Sequence, residues 1–289
     1  LETTPDMVYS KELVQAQEAW RDYGRKGEGM VIGIVDSGID PTHKDMVLTN
    51  PGTAKLTEEL VNSIIAEKGL PGKYFSEKVP YGYNYANNNH NIVDRNSATG
   101  AHGMHVAGTS AANGDEENGG VKGVAPEAQL LALRVFPESG QYTYADIYVR
   151  AIDDAIALGA DVLNMSLGAT SGFVAPEDPE QQAIKRAFEN GIIVSVSAGN
   201  SSMFGDGYFY PYTSNPDYGV VGTPGVSYYS TQVASLENSY LVSSEAIYTI
   251  GEEETSAPYL SAGQTPPTIG ETYELVYAGL GYPEDFVGK

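Results

Sequence analysis

The chain has 289 residues, a formal net charge of −22 at pH 7 and no cysteine. This length is enough for one large domain, or for one domain and part of a second, with a sizeable core. The absence of cysteine excludes disulfides, thiolate metal sites and a cysteine nucleophile. The acidic excess argues against nucleic acid as a partner, because phosphates attract Lys and Arg, and it is typical of a well-solvated surface. No apolar run approaches the ~20 residues of a transmembrane helix. No signal peptide begins the sequence, so we expect any export segment to lie outside this chain.

The first elements predicted along the chain are a helix and a buried strand. Apolar residues recur at helical spacing within residues 12–23. Residues 31–35 form an apolar run rich in Val and Ile, which is typical of a strand buried on both faces of a parallel sheet. The run ends at Asp36, which Ser37 and Gly38 follow as a turn signal. Active sites of open α/β sheets lie at such strand ends, although an aspartate there is also an ordinary turn former.

Helical and strand patterns alternate between residues 30 and 200, which predicts a doubly wound parallel α/β sheet. From about residue 236 the helical periodicity vanishes, and short strand-like runs follow at residues 247–250 and 273–277. We therefore expect two parts, residues 1–235 and residues 236–289. Further helices are predicted over residues 56–68, 102–112, 144–158 and 179–190, and further strands over residues 81–85, 129–135, 161–166 and 192–196.

Three segments follow one another along the chain: Asp36-Ser37-Gly38-Ile39-Asp40, His102-Gly103-Met104-His105-Val106-Ala107-Gly108-Thr109 and Ser197-Ala198-Gly199-Asn200. Taken in this order, they resemble the subtilisin-like serine proteases, whose catalytic triad runs in the order Asp, His, Ser. The resemblance extends from about residue 19 to residue 235. Residues 217–224 are similar to the cell-envelope proteinases of streptococci and lactic acid bacteria, a group that includes lactocepins and complement-cleaving peptidases.

The resemblance implies a subtilisin-like fold and a serine endopeptidase that needs no cofactor for its chemistry. Asp36 would orient His102 and stabilise its imidazolium, and His102 would act as general base and then general acid. Asn200 would donate its side-chain amide to the tetrahedral oxyanion. The substrate backbone is expected to add as a strand along the cleft. The residues expected to line that cleft are Ser166, Leu167, Gly168, Ala198 and Gly199.

The resemblance also implies partners and a location. Proteins or peptides would be the substrates, and the protease would be extracellular or attached to the cell wall. In the cell-envelope group a protease-associated β domain is inserted between the oxyanion segment and the catalytic serine. Residues 236–289 resemble the beginning of that insertion and are too short to be the whole of it.

The nucleophile of the family lies in a Gly-Thr-Ser-Met-Ala motif, which does not occur in this chain. Ser110 follows a Gly-Thr pair but lies ~12 Å from His102 along the same predicted helix, beyond hydrogen-bond reach. Ser166 stands in no motif that would expose its hydroxyl to His102. Ser256 lacks the preceding glycine and follows three glutamates, which would disfavour an oxyanion. We therefore expect the serine in the remainder of the protease, outside residues 1–289, and expect this chain to be inactive alone.

Calcium is a further hypothesis. Asp45 stands where many members of the family have a calcium ligand, and Asn113 and Asp115 belong to an acidic, glycine-rich loop. Their hard oxygen atoms are ligands that Ca²⁺ prefers. The loop lacks the EF-hand spacing, so a plain solvated loop is the alternative.

Two rival functions belong to other classes. One is a zinc hydrolase that uses His102 and His105, which stand three residues apart and share a predicted helix face, although no third ligand forms a recognisable motif. The other is an adhesion or binding module that keeps the fold without proteolysis. Metal analysis would test the first, and a downstream Gly-Thr-Ser-Met-Ala motif would argue against the second.

Overall fold

The computed structural model describes residues 7–169, 174–200, 203–204, 217–218, 221–236, 244–250, 253–259 and 287. The chain divides into two compact units, Leu1–Tyr240 and Leu241–Lys289. The boundary predicted from the sequence lies between residues 235 and 236. In the first unit the described helices are α1 (Met7–Leu13), α2 (Ala16–Tyr23), α3 (Glu58–Lys68), α4 (His102–Ala111), α5 (Ala145–Ala157) and α6 (Pro179–Glu189).

A six-stranded sheet forms the centre of the first unit. The described strands of this unit are β1 (Val31–Asp36), β2 (Tyr81–Asn84), β3 (Gln129–Arg134), β4 (Val162–Met165), β5 (Ile193–Ser197), β6 (Met203–Phe204), β7 (Asp217–Tyr218) and β8 (Thr231–Val233). Its strand order is β2-β3-β1-β4-β5-β8, and every neighbouring pair is parallel. This confirms the predicted α/β class with a parallel sheet. A separate antiparallel pair joins β6 to β7.

Strand β1 is buried on both faces, as its apolar run predicts. Val31 and Val35 point into one hydrophobic cluster, which also holds the apolar faces of α5 and α6. Ile34 belongs to a second cluster that holds Ala107 and Ala111 of α4. Side chains of a strand alternate between its faces, so one continuous apolar run serves both clusters.

The helix predicted over residues 12–23 is wrong in its extent, because the structure has two helices there. Gln15 separates them with φ of 60°, a left-handed backbone that ends a regular α-helix. Ala16 is buried at the start of α2, whereas Val14 is exposed. Residues on either side of Gln15 therefore do not share one helical face.

The second unit contains a described hairpin. Strands β9 (Ser244–Ile250) and β10 (Glu253–Tyr259) pair in antiparallel register. The run predicted as a strand at residues 247–250 lies within β9, and the run at residues 273–277 lies outside the described residues. The inserted β domain stays a prediction. No helix in the described ranges is long and apolar enough to cross a membrane.

Candidate active site

The predicted site residues follow the carboxyl ends of three adjacent strands. Strands β1, β4 and β5 are parallel neighbours in the sheet, so their carboxyl ends meet at one edge. Asp36 ends β1, Ser166 follows β4, and Asn200 lies three residues after β5. The edge of the sheet at which open α/β folds bind ligands therefore carries all three.

A hydrogen bond joins the two predicted triad members. The Nδ1 atom of His102 lies 2.8 Å from Oδ1 of Asp36, which also accepts from the backbone N–H of Ser37 at 2.7 Å. Asp36 is fully buried, while the His102 side chain is 53% exposed. The buried Oδ2 of Asp36 has no partner among the described residues. A carboxylate held in this way fixes the imidazole so that its other nitrogen faces outward from the pair.

A close backbone contact sets the start of helix α4 against the aspartate turn. The N–H of Gly103 donates to Oγ of Ser37 at 2.9 Å. A Cβ at position 103 would lie 2.6 Å from the carbonyl oxygen of Gly38 and 2.7 Å from its nitrogen. Only glycine allows this approach, which places the preceding His102 beside Asp36.

The acidic surroundings raise the pKa of His102 above 6.5. The hydrogen bond from His102 to Asp36 is the largest cause, and the charges of Asp36 and Asp94 add to it, while burial acts in the opposite direction. The imidazolium that forms when His102 takes a proton is therefore stabilised by two carboxylates.

One cleft brings His102 together with the predicted oxyanion donor and the predicted substrate segments. It has a volume of about 440 Å³. Asn200 is exposed at its edge. The sequence-predicted residues that line the cleft are His102, Ser166, Leu167, Gly168, Ala198, Gly199 and Asn200. A smaller adjoining cavity is lined by both Asp36 and His102, so the pair borders the same region.

The sequence interpretation missed the part of the cleft between β3 and α5. Phe136, Gln141 and Tyr142 line it there, and Ala169 and Gly222 line it elsewhere. The loop follows the carboxyl end of β3, a neighbour of β1 in the sheet. The rule that pointed to Asp36 could therefore have pointed to this loop.

No described serine forms a hydrogen bond with His102. The hydroxyl of Ser110 donates to the carbonyl oxygen of Val106 in its own helix, at 2.9 Å. Ser166 lies in the cleft, where its hydroxyl accepts from Asn164 Nδ2 at 2.9 Å. Ser256 lies in β10 of the second unit.

The two histidines of the zinc hypothesis line different cavities. His102 lines the cleft, whereas His105 lines a separate cavity of about 480 Å³ together with His43 and Met46. The described part of the chain contains no group of three or more His, Cys, Asp or Glu side chains that could hold a metal ion. The two side chains therefore border different spaces, and zinc binding by this pair stays untested.

The predicted calcium ligands are only partly brought together. Asp45 is buried, its Oδ2 accepts from the N–H of Val121 at 3.0 Å, and its carbonyl accepts from the N–H of Asn113 at 2.7 Å. Both carboxylate oxygen atoms of Asp115 accept hydrogen bonds within its own loop, from Glu117 and Asn118. The Asp45 and Asn113 segments are therefore neighbours, while Asp115 is engaged elsewhere, and calcium binding stays a prediction.

Comparisons with known proteins identify relatives of this chain. The chain is 44% identical over 254 residues to the PI-type proteinase of Lactococcus lactis subsp. cremoris, which covers 86% of the chain and 13% of the relative. It is 34% identical over 267 residues to the C5a peptidase of Streptococcus pyogenes serotype M18, which covers 90% of the chain and 23% of the relative. The chain thus spans less than a quarter of the length of these two relatives. Among solved structures, Sphericase is 26% identical with a TM-score of 0.48, over 81% of this chain and 59% of that one.

The match to a family model covers most of the chain. The model of the subtilase family matches residues 27–279, a range that includes the strand-end aspartate, the helix that begins at His102 and the Asn200 segment. The chain belongs to the subtilase family, and its homologues include lactococcal proteinases and streptococcal C5a peptidases.

Proposed function

We propose that this chain supplies the general base, its orienting carboxylate and the oxyanion donor of a subtilisin-type serine endopeptidase. The observation that carries the proposal is the 2.8 Å contact between His102 and Asp36 at a cleft that Asn200 also lines. Membership of the subtilase family supports the same reaction class. The reaction is hydrolysis of peptide bonds in proteins.

The chemistry follows from the orientation of the imidazole. Because Nδ1 of His102 donates to Asp36, Nε2 is the atom that accepts the proton of a serine hydroxyl. The raised pKa of His102 favours this transfer, and the same nitrogen then returns the proton to the leaving amine. The carboxamide of Asn200 donates to the carbonyl oxygen as it becomes negative, which stabilises the tetrahedral intermediate.

The substrate would lie along residues 166–168. This segment continues β4 and borders the cleft, so an extended peptide can add to it as a further strand. The loop that carries Gln141 and Tyr142 borders the same cleft and would contact the peptide there. The volume of about 440 Å³ suits a few side chains of a protein substrate.

The nucleophile would come from a part of the protease outside residues 1–289. The family motif Gly-Thr-Ser-Met-Ala does not occur in the chain, and no described serine forms a hydrogen bond with His102. We place the protease outside the cell or on the cell wall, with extracellular proteins as substrates. The homologous lactococcal proteinases and streptococcal C5a peptidases support this location.

A fluorophosphonate, which reacts with an activated serine, tests the proposal. The complete protein should be labelled at one serine beyond residue 289, and His102→Ala should abolish the labelling. Residues 1–289 alone should not be labelled, and mixing them with a fragment that carries the downstream serine should restore labelling and cleavage.

The same experiment separates the alternatives. Stoichiometric labelling of residues 1–289 at Ser110, Ser166 or Ser256 would show that the nucleophile is misplaced. An intact complete protein that is neither labelled nor able to cleave proteins would favour the binding or adhesion module.

A further inference from the structure

One side of the cleft is formed by two backbone segments in direct contact. We call Gly168, Ala169 and Gly222 the side wall, since all three line the cleft. The N–H of Ala169 donates to the carbonyl oxygen of Thr223 at 2.9 Å. A Cβ on Gly222 would lie 1.6 Å from the carbonyl oxygen of Ala169. The segments therefore meet without any side chain between them.

A wall of this kind has no side chain of its own that could adjust its position. Gly225, in the same loop as Gly222, is equally close to the sheet, because a Cβ there would lie 2.9 Å from the carbonyl oxygen of Ser197. The position of the wall thus depends on whatever holds the loop around Thr223.

A buried carboxylate holds that loop. Glu180 lies in the first turn of α6 and is 5% exposed. Its Oε1 accepts from the hydroxyl of Thr223 and from Nε2 of Gln181, and its Oε2 accepts from the hydroxyl of Tyr148 in α5. One side chain therefore ties α5 and α6 to the loop that carries the side wall. We call Glu180, Tyr148 and Thr223 the clasp.

Hydrogen bonds, and no described cation, hold the carboxyl group of Glu180. Among the described residues no Lys or Arg forms an ion pair with it. Burial and the hydrogen bond to Glu180 raise the pKa of Tyr148 far above 10.0, so its hydroxyl keeps the proton that it donates. Three side-chain hydrogen bonds converge on this one carboxyl group, so the clasp can fix the loop.

We propose that Glu180 is a positioning residue for substrate selectivity: through Thr223 it fixes the side wall and so sets which substrate side chain fits in the cleft beside Asn200. This inference rests on the proposed protease function. Glu180 itself does not line the cleft, so it acts through the loop and not by contact with the substrate.

Substitutions at Thr223, made in the complete protease, test this role. Thr223→Val removes the hydroxyl at nearly constant volume, while Thr223→Ser keeps it. Tyr148→Phe removes the other donor to Glu180. Glu177→Gln is the matched control, because Glu177 is an exposed carboxylate three residues before Glu180.

The first readout is cleavage of peptides that differ in a single side chain next to the cleaved bond. Thr223→Val should change the ratio of kcat/KM between a large and a small side chain by roughly tenfold, mainly through KM. The rate of fluorophosphonate labelling should stay within about twofold, because the clasp touches neither His102 nor Asn200. Thr223→Ser and Glu177→Gln should keep the wild-type ratio.

The second readout does not depend on activity. Hydrogen–deuterium exchange at the amide of Ala169 should become about fivefold faster in Thr223→Val and in Tyr148→Phe, because the partner loop is released. Unchanged exchange in Thr223→Val, or faster exchange with an unchanged cleavage ratio, would overturn the inference.

If Tyr148→Phe does not fold, Thr223→Val alone decides. If the wild-type protease neither reacts nor cleaves, the proposed function fails, and exchange at Ala169 still decides whether the clasp holds the wall.

Discussion

The Nδ1 atom of His102 and the Oδ1 atom of Asp36 lie 2.8 Å apart, although the two residues are separated by 66 positions in the sequence. One stands at the end of a central strand and the other at the start of a helix. Their contact fixes which nitrogen of the imidazole donates to Asp36, and so which nitrogen is left to accept a proton. In the proposed protease, this relationship orients His102 as a base towards the cleft, and it leads to the first prediction.

Asp36→Asn should lower kcat of the complete protease by about 10⁴-fold, because the amide keeps the shape but no longer holds the required tautomer. The measurement is kcat on a peptide substrate. Asp40→Asn is the matched control, since that carboxylate in the same turn bonds Thr42 and not His102. A loss of less than about tenfold in Asp36→Asn would contradict the assigned role.

The same variant has an expected pH signature. His102 must be neutral to act as a base, and its pKa in the fold is raised above 6.5. The activity of the wild type should therefore rise with pH around a pKa above this value. In Asp36→Asn the same rise in activity should occur at lower pH. The contact between His102 and Asp36 stabilises the fold at pH values below the pKa of His102 in the unfolded chain. This contribution is lost as the pH rises through the pKa of His102 in the folded protein.

Asn200→Ala should lower kcat by roughly 10²–10³-fold and leave KM nearly unchanged, the size known for loss of such a donor in subtilisin, a member of the same family. The physical reason is that the side-chain amide of Asn200 donates a hydrogen bond to the oxyanion, which forms only after the serine has attacked the peptide carbonyl. Steady-state kinetics of the complete protease measures the two constants separately. A variant that raises KM alone would show that Asn200 binds the substrate ground state instead.

How much the sequence could predict depends on whether the signal was local. The end of β1 at Asp36 follows from an apolar run and a turn, and His102 begins its helix within a motif, so both are local signals. The break at Gln15 is a single left-handed residue inside a helical pattern, which periodicity alone does not reveal. His102 and His105 differ by about 60° around the helix axis, enough for them to border separate cavities.

Contacts between distant segments that carry no recognisable motif could not be predicted from the sequence. Glu180 joins Tyr148, 32 positions earlier, and Thr223, 43 positions later. Nothing in the local patterns around these residues indicates that they meet. Gln141 and Tyr142 differ in this respect, because their loop follows the carboxyl end of β3 beside β1, and the strand-end rule that pointed to Asp36 could have indicated it.

Calcium binding gives the third prediction. If Asp45 and the loop that holds Asn113 and Asp115 bind the ion, added Ca²⁺ should release measurable heat and raise the melting temperature of the protein. Asp45→Asn should weaken both effects, and Asp115→Asn should do so only if its carboxylate leaves its hydrogen bonds to Glu117 and Asn118. No heat and no change in melting temperature would remove the calcium hypothesis.

A buried lysine gives the fourth prediction, which concerns stability against pH. Lys78 is 1% exposed, and its Nζ donates to the carbonyl oxygen atoms of Pro126 and Ala128 at 2.6 Å each. Burial lowers the pKa of Lys78 to about 7, and the charge of Glu127 opposes this only in part. The unfolded chain titrates near ~10.4, so between these values it binds the proton that the folded chain lacks.

The free energy of unfolding should therefore rise as pH increases from about 7 towards 10, by up to about 1.4 kcal/mol per pH unit from this residue. Urea unfolding at several pH values measures the slope. Lys78→Met should reduce the slope of unfolding free energy against pH, whatever the substitution does to the absolute stability. Lys73→Met, at an exposed position, should leave the slope unchanged. Equal slopes in the wild type and Lys78→Met would mean that Lys78 keeps its proton in the fold.

The fifth prediction compares two glycines of helix α4. A Cβ at Gly103 would lie 2.6 Å from the carbonyl oxygen of Gly38 and 3.0 Å from the nitrogen of Ser37, whereas a Cβ at Gly108 would meet no atom within 4 Å. The atoms near Gly103 are backbone atoms of the turn that follows Asp36, and they cannot rotate away as a flexible side chain can. Gly103→Ala must therefore push the start of the helix from the turn and carry His102 away from Asp36.

Gly103→Ala should lower the free energy of unfolding by about 1–3 kcal/mol, as overpacking does, and should lower kcat by about 10²-fold, because a small displacement of the base misaligns proton transfer. Gly108→Ala adds the same methyl group to the same helix without a clash. It should raise stability by about 0.5–1 kcal/mol, since alanine loses less conformational freedom in a helix, and kcat should stay unchanged. Denaturant unfolding and steady-state kinetics of the complete protease measure both variants. Equal effects at the two positions would mean that the approach of α4 to the aspartate turn does not align His102 with Asp36.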